Sequence, residues 1–134
     1  MATLGELRTA IVDRLTDSLP GDWTVYRLPP DSIEAPAIMV MGFEVSPGSF
    51  GEGTHRVAVE LLVAASRRHV DQVDALDEVL SPTGELSLWQ VFDEDPSLGG
   101  VVGGAMVATV GEYRQLVVAD VGYYGATVQV TVML

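Results

Sequence analysis

The chain has no cysteine, no lysine and no asparagine. Without cysteine there is no disulfide framework, no thiolate zinc site and no thiol nucleophile; a reducing compartment is permitted by this, not required. Without lysine there is no working phosphate loop. Gly48 to Gly53 has the two outer glycines of one, but Thr54-His55 follows where Lys-Ser/Thr is needed. Lysine and asparagine both have AT-rich codons, so their absence points to a GC-rich genome. No basic segment precedes an apolar one near Met1, so no signal peptide is expected. The longest uncharged stretch, Pro96 to Gly111, is too short and too rich in glycine to span a bilayer, so a soluble protein without a membrane partner is expected.

Positive charge is also scarce. Seven bases, all arginine, face 19 acids, for a net charge of −12. That argues against a protein that grips DNA by neutralising phosphates. It does not exclude one that DNA must slide past without sticking.

What is present is apolar patterning. Hydrophobic residues make up 48% of 134 residues, enough for the core of one domain spanning 1–134 with some left for an interface. From Tyr124 to Leu134 every second residue is apolar, the period of a half-buried strand. A strand of about twelve residues at roughly 3.3 Å each spans about 40 Å, the width of a whole domain of this size. At the other end, Leu4, Leu7, Ile11 and Leu15 form one helical stripe, with Thr3 and Glu6 at capping-box spacing and Pro20-Gly21 as the stop. This predicts a helix over Thr3–Leu19.

Between them, strands are expected over Thr24–Leu28, Ala37–Val45, Arg56–Ala65 and Ala105–Tyr113, with Leu116–Ala119 ambiguous. Ala37-Ile38-Met39-Val40 is apolar on both faces, as in a central strand or one covered by another subunit. Helices are expected over Val70–Leu80 and, shorter, Ser87–Phe92. The fold class is α+β: a mainly antiparallel sheet of about four to five strands with two main helices packed on one face.

Signatures of chemistry fail. Gly48-Ser49-Phe50-Gly51 is one residue short of a nucleophile elbow. Gly99, Gly100, Gly103 and Gly104 miss the dinucleotide fingerprint. His55 and His69 form no close metal pair, and Asp71, Asp74, Asp77 and Glu78 read as the solvated face of a helix. No catalytic residue, cofactor or metal is expected, and the chain is not read as an enzyme.

Three segments stand out instead. Ser46, Pro47, Gly48, Ser49, Phe50, Gly51, Glu52, Gly53 and Thr54 read as a flexible assembly loop with one aromatic anchor. Arg67 and Arg68 are candidates for a salt bridge to an acidic neighbouring subunit. Asp93, Glu94 and Asp95 read most simply as a helix-ending turn, and are also candidates for lining a shared opening.

The order of segments resembles a known family. An N-terminal amphipathic helix and a short strand lead to Ala35-Pro36-Ala37-Ile38-Met39-Val40. A longer strand ending in Ala64, Ala65 and Ser66 leads to the Val70–Leu80 helix. Leu80-Ser81-Pro82-Thr83-Gly84, a short Ser-Leu helix and Leu98-Gly99-Gly100 follow, and the chain ends on Tyr123-Tyr124-Gly125-Ala126-Thr127-Val128. This layout resembles the tail-terminator (head–tail connector) proteins of long, non-contractile-tailed phages, particularly those infecting actinobacteria. The resemblance covers nearly the whole chain and lies in layout and short motifs. It implies a virion structural protein: a small α+β domain closing into a homohexameric ring. The ring caps the tail tube protein, ends its polymerisation and meets the head-closure protein, with DNA only as passing cargo. The virion tail or neck, and the host cytoplasm during assembly, are the implied locations. The alternatives are another neck or head-closure connector, against which the two helices argue, and a free-standing bacterial α+β ligand-binding domain.

The loop assignment makes one prediction. Deleting Gly48 to Gly53 is expected to leave the thermal unfolding of the subunit nearly unchanged while blocking tail completion, scored by counting finished tails. Unfolding of the domain by the deletion would make the segment part of the core instead.

Overall fold

The alternating C-terminal segment forms the longest strand of a six-stranded sheet and lies inside it, with partners on both sides. The computed structural model describes residues 3–19, 21, 23–28, 36–47, 55–65, 73–84, 87–118 and 120–133. In chain order these form α1 (Leu4–Ser18), β1 (Thr24–Tyr26), β2 (Ala37–Pro47), β3 (His55–Ala64), α2 (Val73–Leu80), α3 (Leu88–Glu94), β4 (Gly104–Val110), β5 (Arg114–Val118) and β6 (Val121–Met133). The order across the sheet is β1-β2-β3-β6-β4, with β5 also paired to β6. All pairings are antiparallel except β1 with β2.

The fold is thus α+β, with six strands rather than four or five. The extra strand is β5, the ambiguous Leu116 piece. It pairs with the first residues of β6 through a tight connection, Val118 lying opposite Val121. Its turn carries Asp120 at φ 65°, in the left-handed region that a short polar side chain tolerates. The usual Asn-Gly hairpin signal is missing from a chain without asparagine, so the hairpin was hidden.

Helix α1 starts as its sequence directs. The Glu6 amide donates to Thr3 Oγ1 at 3.1 Å, and the Leu19 amide closes the far end on the Leu15 carbonyl at 3.0 Å. Leu7, Ala10, Ile11 and Leu15 are buried, while Leu4 lies 39% exposed at the end of the stripe. All three helices, the expected short one included, contribute to the main core: Leu76 and Val79 of α2 and Leu88, Val91 and Phe92 of α3 join the α1 set. The same cluster holds one row of the sheet, Val57, Val59 and Leu61 of β3 and Val128, Val130 and Val132 of β6. Each of these valines is 0% exposed, and full burial of one stabilises by roughly 1.5 kcal/mol or more.

The opposite face divides in two. At one end Ala37, Met39, Leu62, Ala64, Leu116 and Tyr123 form a second, smaller cluster. This explains the apolar start of β2: Ile38 and Val40 serve the main core, Ala37 and Met39 the second, and all four are 0% exposed within one subunit. No neighbour is needed to cover them. Towards the other end the same face carries Glu60, Gln129, Thr131 and Arg56, partly or fully exposed. A bulge between Val40 and Gly42 leaves Met41 as the extra residue on β2.

Gly125 is the tightest point. It lies opposite Ala64, and a Cβ there would sit 2.0 Å from the Val63 carbonyl oxygen. The obstacle is backbone and cannot swing aside. Gly125→Ala is expected to lower stability by about 3 kcal/mol, read as a shift of the urea midpoint. Gly122→Ala, where nothing lies within 4 Å, is the control and should shift it little.

Candidate assembly surface

Helix α3 is held in place by side-chain to backbone hydrogen bonds at both of its ends. Arg14 of α1 donates from Nε and Nη2 to the Val91 carbonyl at 2.9 and 2.8 Å. Val91 lies in the last turn of α3, where carbonyls lack helical partners and a cation is favoured. Glu94 Oε2 sits 3.6 Å from the same guanidinium. At the start of α3, Ser87 is buried, and its hydroxyl donates to the Ser81 carbonyl. Trp89 Nε1 donates to the Leu80 carbonyl at 3.2 Å, tying α3 to the end of α2. Tyr113, after β4, donates from its hydroxyl to Asp77 Oδ1 of α2 at 2.7 Å and meets Tyr124 edge-on at 6.2 Å. Its phenol is pushed well above the usual tyrosine value, first by burial and then by its hydrogen bond to Asp77 and the charge of that carboxylate.

This frame sets α3 beside β4, and a groove of about 670 Å³ is lined by residues of α3, β4 and the end of β6 from both faces of the sheet. Trp89, Met106, Val107 and Met133 give it an apolar lining, to which Arg56 and Asp93 add one charge of each sign. Met106 is 64% exposed. No residue of Gly104–Val110 is charged, and no described strand pairs with its outer side. Across the sheet, β1 pairs only with Ala37, Ile38 and Met39, so Met41–Pro47 of β2 has β3 on its inner side and no described strand on its outer side.

The sequence-expected site residues fall in different places. Ser46 and Pro47 are not loop: they are the last, exposed residues of β2, paired with Arg56 and His55. The strand continues through them because β3 begins early enough to supply a partner. Gly48, Ser49, Phe50, Gly51, Glu52, Gly53 and Thr54 lie outside the described residues, as do Arg67 and Arg68. Asp93, Glu94 and Asp95 end α3 and have separate surroundings. Asp93 borders the groove, and Glu94 faces Arg14. Asp95 accepts the Gly99 amide at 3.0 Å and the Ser97 hydroxyl at 3.3 Å, closing a turn in which Leu98 and Gly99 have φ 51° and 73°.

Arg14, Tyr113 and Met106 were not singled out by sequence. Arg14 and Tyr113 act on partners 77 and 36 residues away, and no local pattern carries that. An uncharged run at Gly104–Val110 in so acidic a chain was the available signal for Met106. Among the described residues no group of three or more His, Asp or Glu is placed to hold a metal ion, and no helix is long and apolar enough to cross a membrane. No protein-family model and no curated protein matches the chain.

Two outcomes follow from the frame. Arg14→Met keeps the aliphatic packing and loses both bonds to Val91; it is expected to cost about 1.5–3 kcal/mol in chemical denaturation. Glu94→Gln should cost less than about 0.5 kcal/mol, because a solvated ion pair contributes little. For Tyr113, a raised phenol value means that the folded chain holds the proton more tightly than the unfolded chain. The stabilisation is complete below the ordinary tyrosine value near ~10 and is lost as pH rises through the folded value. Stability should therefore fall more steeply above about pH 10 in the parent than in Tyr113→Phe. The absence of lysine keeps that window free of side-chain amines.

Proposed function

We propose that the protein is a ring-forming tail terminator of a long, non-contractile-tailed phage. In this reading identical subunits, six to a ring, cap the tail tube, end its polymerisation and join it to the head-closure ring, while DNA passes through the lumen. The observation that carries the reading is the sheet itself: its long strands are held in one rigid layer, yet both flanks retain a stretch without a described partner. The segment layout given above supports it, and so does the charge. Subunits of net charge −12 repel phosphate and keep passing DNA from adhering. Asp93, Glu94 and Asp95 remain candidates for the lumen, with Asp95 already engaged in its own turn.

A second reading, a free-standing ligand-binding domain, is favoured by one observation: the apolar groove beside Trp89 has the volume of a small-molecule site. The readings separate in the particle. Quantitative mass measurement of purified virions of the phage encoding the chain should find six copies per tail, and electron microscopy should place them at the head-proximal end of the tube. Absence from the virion, or a monomer within it, would overturn the tail-terminator reading and leave the ligand-binding one.

A further inference from the structure

The two open flanks of the sheet complement each other. We infer, on the reading that the protein works as a homo-oligomer, that the outer edge of β4 in one copy pairs with Met41–Pro47 of the next, carrying one sheet from subunit to subunit.

Direction supports this partner. Strands β2, β3, β6 and β4 alternate in sense, so β2 and β4 of one sheet run opposite ways. A second copy that continues the sheet therefore brings its β2 antiparallel to β4, the pairing with the more stable ladder. The open stretch Met41–Pro47 is as long as β4, at seven residues. Because the two edges are different surfaces, the contact is head-to-tail, the kind that closes into a ring when its rotation permits.

Charge selects the same edges. Two copies of a chain with 19 acids meet acid against acid over much of their surfaces, which costs binding free energy. Strand β4 has no charged residue; Met41–Pro47 has one, Glu44, and its only proline is the last residue, Pro47. Edge strands are usually defended against pairing by charge or proline, and β4 has neither.

Area then brings in the groove. Seven paired residues make an edge about 24 Å long and roughly 10 Å deep, or about 240 Å² per copy, well below the ~800 Å² per partner of a stable interface. The groove beside β4 supplies further apolar surface. Val45 lies opposite Val57 and so shares the helix-covered face of the sheet. It is 47% exposed, and in the continued sheet it enters the groove on the side of Trp89. Glu44 and Ser46 fall on the other face, where Met106 is exposed.

The chain's lack of cysteine gives a clean test. Glu44→Cys and Met106→Cys each place one thiol at an exposed site, both on the face away from the helices. Each variant alone, and an equal mixture, is concentrated and treated with a short bis-maleimide, and native mass spectrometry reads size and conjugates. A Glu44→Cys to Met106→Cys conjugate in the mixture, with none in either variant alone, is expected; the double variant should give a ladder ending at the closed ring. A conjugate within Met106→Cys alone means a two-fold β4–β4 contact and overturns the inference. So does any ring, or a persistent monomer, without the mixed conjugate. None of these results touches the tail-terminator reading, which is decided by copy number and position in the virion.

Discussion

Strand β6 has neighbours on both sides, and the rest of the subunit is arranged around that pairing. On one side β3 runs along it from Arg56 to Ala64; on the other β5 takes its first residues and β4 its last. The approach to β3 is close enough at Gly125 that no side chain fits. A strand held this way has a fixed register, and a slip of one residue would turn Val128, Val130 and Val132 from the core to the other face. Register here is the condition for the core, because that row and the buried residues of the three helices belong to one cluster.

From the fixed sheet the groove follows. Helix α3 is short, and a helix of that length is marginal by itself. Its position rests on Arg14 at one end and on Ser87 and Trp89 near the other, reaching carbonyls of α3 itself, the α2–α3 turn and α2. What those bonds hold in place is a largely apolar wall facing an uncharged strand edge. In a chain of net charge −12 that edge is a place where a second copy can approach a strand that carries no acid. The proposed assembly rests on this contrast between an acidic exterior and a neutral flank, and the lack of lysine and the small number of arginines sharpen it.

The sequence by itself determined the elements whose signals are local. The Thr3 cap, the Leu7–Ile11–Leu15 stripe and the strict alternation of Ala126 to Val132 each encode their own conformation and buried side, and each is found so. The α+β class followed from them. Only the tertiary structure decided the rest. Leu116 and its neighbours are too few to show a period and became a strand because β6 offered a partner. Ser46 and Pro47 look like loop and are strand because β3 lies opposite. The groove depends on Arg14 meeting Val91 and Tyr113 meeting Asp77 across long stretches of chain. Such contacts have no periodicity to read. They arise when the sheet brings distant segments together, so the core was legible in the sequence and the surface proposed for assembly was not.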